Sequence, residues 1–437
     1  MNPIILGAGA AGLAAALHLL RHGHRPLVLE AAKTPGGRLR SFRDPHTGEV
    51  FDNGPHLLLG ACTETLDLLR QLGSDAHLWR AEAMAFPFFS PQTGGYRLAC
   101  PAWPAPWHLI AGLLRLPGLT LNDRLRLLAP GYALTTGKPP LPGETVTQWL
   151  QRHRQSTNLL HRLWEPLTLA ILNEPPASAD AGLLAAVLDR ILHGGVEAGR
   201  PYVPRVPLSR LLAEPAQTAI ERQGGTVRCQ TPVRHLEVAG DRVVAVVTAT
   251  ERISVRGAVI AAVPHHVLSR ILPAWHPGWP VTPAYAPIVS IHMRWSQPGG
   301  LPVPLVGLPG AMCHWLFDHR RLAGQDENQP AHISGVISGA YREVHWPKER
   351  LIAQAQREVA ALAPGLGQEG SMRGRVVRMV QATLAPWPDI VAARPGPLTP
   401  WRNLFLAGDW CATGLPATVE SAVISGRQAA RQVQGGD

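Results

Sequence analysis

The residues best suited to chemistry lie among the first forty. Gly7-Ala8-Gly9-Ala10-Ala11-Gly12 follows the apolar run Ile4-Ile5-Leu6 and opens a stretch rich in alanine and leucine; a second apolar run, Leu27-Val28-Leu29, ends at Glu30. Strand, glycine turn, helix, strand and acid in that order form a dinucleotide-binding pattern. Gly7 permits the tight turn, Gly9 lets a pyrophosphate approach the backbone, and Gly12 lets the helix pack on the strand. The helix start, at Ala10 and Ala11, offers unpaired N–H groups and a positive dipole end to phosphate. Glu30, with Ala31 beside it, lies about twenty residues on, where a carboxylate accepts the hydroxyls of an unphosphorylated ribose. Gly36-Gly37-Arg38 adds a second glycine pair and a guanidinium, which suits the diphosphate of FAD better than that of NAD.

The far end of the chain completes this pattern. Leu404-Phe405-Leu406-Ala407 reads as a strand, Gly408-Asp409-Trp410 as the turn after it, and the residues from Thr418 and Val419 onward as a helix. Asp409 is placed beside the diphosphate and the ribityl chain. The helix N-terminus aims its N–H groups at a flavin pyrimidine, where reduction leaves negative charge. Between the two ends, Asn53-Gly54-Pro55 is a tight turn with His56 just past it, close in sequence to the phosphate loop. Gly54, Pro55 and His56 are therefore expected on the cofactor or substrate face.

Composition narrows the class. The chain has 437 residues and a net charge of +10, and Lys33, Lys138 and Lys348 are its only lysines. No dense basic run or nucleic-acid module accompanies this charge, so nucleic-acid binding is not expected. Cys62, Cys100, Cys229, Cys313 and Cys411 are scattered without a CxxC pair, which argues against disulfides and zinc and for a reducing, cytoplasmic setting. His265-His266 has no third ligand nearby in sequence and, at a strand exit, its side chains diverge; no metal is expected. No run of eighteen apolar residues reads as a transmembrane span.

Along the chain, the pattern predicts a discontinuous Rossmann-type α/β domain over residues 1–85, 200–265 and 375–437. An α+β domain with helical segments, over 86–199 and 266–374, is inserted into it. A helix is expected over Thr63–Gly73. Phe86-Pro87-Phe88-Phe89 and Trp103-Pro104-Ala105-Pro106-Trp107 begin an aromatic, proline-rich region. Two apolar, arginine-flanked stretches follow it, at 107–116 and 124–128, of the kind that lies on a membrane surface. Helices are expected over Glu144–His153, capped by Thr145 or Glu144, over Asn158–Leu172 and over Ala179–His193. Pro201–Pro207 reads as a break, and Leu208–Gln223 as another helix. Alternation then predicts strands at Thr226–Cys229, Val233–Val238, Val243–Val247, Ile253–Val255 and Ala258–Ala262, with Val233 passing over an adenine. Strands at Ile288–Trp295 and His332–Ile337 and a helix over Lys348–Ala363 follow.

On these motifs the chain resembles the FAD-dependent amine oxidase and phytoene desaturase superfamily, which makes the expected fold amine oxidase-like. More narrowly it is similar to the hydroxysqualene dehydroxylases. That likeness rests on Asp52-Asn53-Gly54-Pro55-His56-Leu57-Leu58-Leu59-Gly60-Ala61, on Ala407-Gly408-Asp409-Trp410 with Thr413–Glu420, on Leu172-Asn173-Glu174-Pro175-Pro176 and on Val203–Leu208. The chain departs from the family at Pro55, usually Gln, and at Cys62, usually aromatic. The resemblance implies that reduced FAD, recharged by an unidentified electron donor, delivers hydride to an allylic carbon of hydroxysqualene while the hydroxyl leaves, giving squalene. It implies a long apolar tunnel for that isoprenoid, with peripheral membrane contact. His56 is then the candidate donor to the leaving oxygen, and Trp410 a candidate tunnel or ring contact. Carotenoid-type desaturation or isomerisation, amine oxidation and non-catalytic lipid carriage are the competing readings on the same fold.

Overall fold

The computed structural model describes residues 2–434 except 46, 92–93, 273–274, 276–282, 327 and 367–371. A five-stranded sheet in the order Thr226–Arg228, Leu27–Leu29, Ile4–Leu6, Val259–Ala261, Leu404–Leu406 forms the first layer, with every neighbouring pair parallel. Apart from the edge strand Thr226–Arg228, the strands are short and almost wholly buried apolar runs, as a parallel sheet covered on both faces requires. All end level with one another, because Leu6 is in register with both Leu29 and Ala261, and Ala261 with Leu406. The first helix, Ala10–Arg21, and the last, Val419–Gln434, pack together on one face. An antiparallel meander, Val233–Ala239, Arg242–Thr248 and Arg252–Ser254, adjoins this layer.

The second layer is a seven-stranded sheet in the order Met372–Leu384, Tyr285–Pro298, Pro330–Ser338, Trp315–Asp318, Leu305–Gly307, Ala85–Ser90, Gly94–Ala99. Over it lies a helical cap from Trp107–Leu114 to Ala181–His193, centred on the fully buried Trp149. Thr145 caps Val146–Arg152 in a reciprocal box with Gln148, while Glu144 instead pairs with Arg152. Among the described residues no helix is long and apolar enough to cross a membrane.

Several expectations need correction. Residues 375–384 belong to the strand Met372–Leu384, which pairs with Tyr285–Pro298, so the last segment of the dinucleotide domain begins after Leu384. Pro201–Pro204 is no break: it pairs on one side with Leu58–Leu59 and on the other with Leu78–Arg80. Its prolines sit at the strand ends, where a missing N–H costs least. Phe86–Phe89 belong to the strand Ala85–Ser90, with Phe88 stacked on Tyr96. His265 and His266 do not leave a strand but open the helix His265–Ile271. The expected helices 158–172 and 208–223 each contain one widened turn, Leu160–Trp164 and Ser209–Ala213. Each widening comes just before a proline, Pro166 and Pro215, whose ring displaces the carbonyl one turn back and removes a donor.

A tight packing constraint joins the first and last helices. A Cβ on Gly426 would lie 2.1 Å from the carbonyl oxygen of Ala11. Gly426→Ala should therefore lower stability by about 1–3 kcal/mol through overpacking, outweighing the gain of about 1 kcal/mol in helix propensity. Thermal melts check this against Gly365→Ala, where the added Cβ meets nothing within 4 Å.

Candidate functional site

Beyond the carboxyl ends of the parallel strands lies one cavity of 1680 Å³. That position is where open α/β sheets bind ligands, and the volume exceeds the usual range of a pocket for one small molecule. One half of the lining comes from the glycine turns and the C-terminal helix start. The other half is leucine, isoleucine and aromatic side chains of the cap and the seven-stranded sheet.

In the first half, Gly7, Gly9, Ala10 and Ala11 form the floor, and a Cβ on Gly9 would stand in open space, so the backbone is bare to the cavity. Gly37 folds back over this turn, with its Cβ position 3.2 Å from Gly9 Cα, and the Gly36 N–H donates to Ala8 O at 2.8 Å. Gly37 has φ +58° and Gly36 +121°, where side chains are strained. Ala8 and Gly12 stand behind the wall rather than in it. The Ala8 N–H donates to Glu30 Oε2 at 2.7 Å, and a Cβ on Gly12 would be 2.0 Å from Gly7 O. Glu30 lines the cavity with Ala31; its Oε1 accepts from the Ala32 N–H at 2.8 Å. Each carboxylate oxygen keeps a lone pair for a further donor such as a ribose hydroxyl. Val233 lines the cavity on the same side.

Arg38 joins this floor to the other end of the chain. Its Nη2 is ion-paired with Asp409 Oδ1, and its Nη1 donates to Ala382 O at 2.8 Å. Burial alone would lower the Arg38 guanidinium; the Asp409 carboxylate outweighs that and raises it. Gly408, Asp409, Thr418 and Val419 complete this wall, at the start of the last helix. Bare glycine backbone, a helix start, an arginine–aspartate pair and a carboxylate at the ribose position fit a flavin dinucleotide.

Two residues that sequence reasoning passed over hold this wall in place. Arg394 is buried and donates to Leu415 O at 2.6 Å, Asp409 O at 2.6 Å, Trp410 O at 3.3 Å, Ser421 Oγ at 3.3 Å and Cys411 O. One guanidinium thus fastens the 409–421 loop by its carbonyls. Glu420 accepts from the Glu64 and Thr65 N–H groups and from Thr65 Oγ, capping the helix Thr63–Gln71. Arg394 lies in no motif, and Glu420 closes the Thr413–Glu420 segment with nothing there to mark its role, because its partners Glu64 and Thr65 are far away in the chain.

Gly54, Pro55 and His56 lie at the junction of the two halves. His56 Nδ1 is 3.0 Å from Gly54 O. A carbonyl only accepts, so Nδ1 carries the proton, and burial lowers the ring below its ordinary value and keeps it neutral. This tautomer presents an acceptor, Nε2, to the cavity rather than the proton expected of it. Trp410 lines the cavity, but its Nε1–H is spent on Val263 O at 3.0 Å and its ring packs edge-on to His265 and Trp275, so it is a wall.

Distant sequence positions also gather three histidines, His292, His319 and His332, with candidate ligand atoms within 4.8 Å of one another. Ser334 Oγ occupies their middle, 2.7 Å from His292 Nδ1 and from His319 Nε2, while His292 Nε2 donates to Asp52 O at 3.1 Å. The His319 and His332 rings stack at 4.2 Å and 22°, so their in-plane lone pairs do not converge on one ion. His292, Ser334 and His319 are hydrogen-bonded behind the turn at Asp52, and His332 is stacked on His319 with its Nε2 unpartnered.

Fold and site together define a flavin-dependent oxidoreductase. The pattern of the flavin containing amine oxidoreductase family matches residues 10–434, and the chain belongs to that family, alongside the hydroxysqualene dehydroxylases. It is 37% identical to the hydroxysqualene dehydroxylase of Rhodopseudomonas palustris, over 98% of this chain and 96% of the relative. The 15-cis-phytoene desaturase of Synechococcus elongatus is more distant, at 23% identity over 99% and 96%. Among solved structures, an oxidoreductase from Methanosarcina mazei superimposes with a TM-score of 0.72 at 14% identity, covering 98% of this chain and 99% of that one. The cofactor is FAD.

Arg394→Met should strip at least about 3 kcal/mol from the folded state by leaving buried carbonyls unpaired. The protein should then lose FAD on gel filtration. Arg402→Met, which removes an exposed pair with Asp241, should leave both stability and FAD retention unchanged.

Proposed function

We propose that this protein removes the hydroxyl group of a long isoprenoid alcohol of the hydroxysqualene type by reduction, giving the hydrocarbon. The observation that carries this reading is the continuity of the cavity. The half that fits FAD runs without a partition into a half lined by Phe86, Leu109, Leu163, Leu167, Ile171 and Leu188. A chain of isoprene units has little to offer except apolar surface, and burial of that surface supplies its binding. The identity to a named hydroxysqualene dehydroxylase, above that to a phytoene desaturase, favours reduction over desaturation.

A fully reduced flavin held there would supply the hydride that replaces the hydroxyl and, on returning to its oxidised form, the one proton with which the hydroxyl departs as water. The chain's own residues do the rest. The apolar walls exclude water and hold the hydrocarbon. The Gly54–His56 turn sets a neutral imidazole at the junction, where Nε2 accepts from the substrate O–H and fixes its direction.

The tunnel mouth also supports contact with a membrane surface. Trp107, Leu121 and Leu125 are 61%, 75% and 72% exposed, and the exposed Tyr132 also lines the cavity. Leu113, by contrast, lines the cavity. An apolar rim around an apolar opening lets a membrane-dissolved substrate enter without crossing water.

Two measurements test these readings. In anaerobic stopped flow, the reduced protein should be reoxidised by hydroxysqualene with release of squalene, and His56→Ala should slow this at least about tenfold, roughly 1.4 kcal/mol. Reoxidation only by other acceptors removes the proposal, and an unchanged rate removes His56. In flotation assays, Trp107→Ser with Leu121→Ser and Leu125→Ser should abolish binding to anionic liposomes. A parent protein that ignores liposomes ends the membrane reading.

A further inference from the structure

Arg190 is a cation among the apolar side chains of the cavity. It lies on the cap helix Ala181–His193 and lines the cavity with its neighbours Val187, Leu188 and Ile191. One nitrogen, Nη1, meets both of its protein partners, Ala61 O and Glu420 Oε1, each at 3.3 Å. Nε and Nη2 have no acceptor in the protein, yet they are not closed off, since the side chain keeps 37% of its surface open. Three N–H groups of one guanidinium are thus free, and the apolar walls around them supply nothing to accept.

The other arginines of the lining are placed differently. Arg38 is spent on Asp409 and Ala382 O, Arg378 gives Nη2 to Trp346 O, and Arg40, Arg234 and Arg270 are exposed.

Glu420 fixes where along the wall Arg190 acts. It lies in the first turn of the last helix, and its buried carboxylate is held by the Glu64 and Thr65 N–H groups and by Thr65 Oγ. Arg190 is therefore tied to the helix start that Thr418 and Val419 contribute to the wall, the place expected for the flavin pyrimidine. Both charges are felt at Cys62, another residue of the lining: burial and then the Glu420 carboxylate push its thiol up to about 12, and Arg190 pulls the other way. A carboxylate alone at that place would oppose the electron density that reduction brings to the pyrimidine. An arginine beside it offsets that charge and adds donors of its own.

We propose that Arg190 directs its free N–H groups to the pyrimidine edge of the bound flavin and, with Glu420, sets the potential at which that flavin is reduced. The inference concerns FAD and holds whichever substrate the apolar half receives. The two residues then act in opposite senses, Arg190 favouring the reduced flavin and Glu420 the oxidised one. A pair that only ties the cap helix to the last helix would respond alike to the loss of either member.

Redox titration of the purified holoenzyme against a reference dye tests this, and no substrate enters the measurement. Arg190→Met should lower the midpoint potential by about 30 mV or more, a tenfold shift in a two-electron equilibrium. Glu420→Gln should raise it, because the amide keeps an oxygen for the Thr65 donors while the negative charge is gone. Arg190→Lys should stay near the parent value, since the charge is retained. Arg80→Met, which breaks an exposed pair with Glu197, should leave the potential unchanged. Opposite shifts in the first two variants support the assignment, and any other combination overturns it, as does Arg190→Lys behaving like Arg190→Met. If Arg190→Met does not retain FAD, Glu420→Gln decides alone: a raised potential supports the assignment, and an unchanged or lowered one ends it.

Discussion

Arg38 and Asp409 are 371 residues apart and meet at the cavity wall. The rest of the molecule depends on that meeting. Two βα turns, one from each end of the chain, must present their glycines and helix starts to the same side of one parallel sheet. The level register of Ile4–Leu6, Val259–Ala261 and Leu404–Leu406 brings them there, and the ion pair then ties the turns directly. Arg394 adds a second tie by holding the carbonyls of the 409–421 loop. The whole substrate portion is inserted between these ends, so it can vary in shape while the flavin site keeps its geometry.

The apolar half shows the opposite economy. Apolar side chains dominate the cap side of the cavity, and several of the polar groups there are committed to the protein itself. Asn173 ends a helix in the left-handed conformation and spends its amide on Ala286 O, Thr383 Oγ1 and the Gly339 N–H. Tyr285 shares its hydroxyl with His266. His56, hydrogen-bonded to Gly54 O, lines the cavity beside that turn. A hydrophobic tunnel cannot tell a hydrocarbon from its alcohol by area alone, because the two bury nearly the same surface; a polar group at the right depth makes the distinction.

Much of the flavin half was legible in the sequence because its physics is local. Glycine spacing, a helix start and an acid after the second strand act within thirty residues, and these residues line or back one cavity. The helical cap was legible for the same reason, down to the Thr145 cap. The exceptions are instructive. Pro201–Pro204 reads as a break by composition yet is paired on both sides, and residues 375–384 look like a return to the first domain yet extend the other sheet. In both cases the partner strand lies far off in sequence, and pairing that local propensity does not announce decided the outcome.

By itself, the sequence determined a dinucleotide fold, the flavin motifs at the two ends and an apolar insertion between them, because residue type and short spacing carry that information. Tertiary structure alone decided which tautomer His56 shows to the tunnel, which arginine holds the flavin loop, and that His292 and His319 meet at Ser334 behind the turn at Asp52. Each of those depends on backbone carbonyls or strand neighbours far away in the chain, and no pattern of side chains along a sequence records where a distant carbonyl will point.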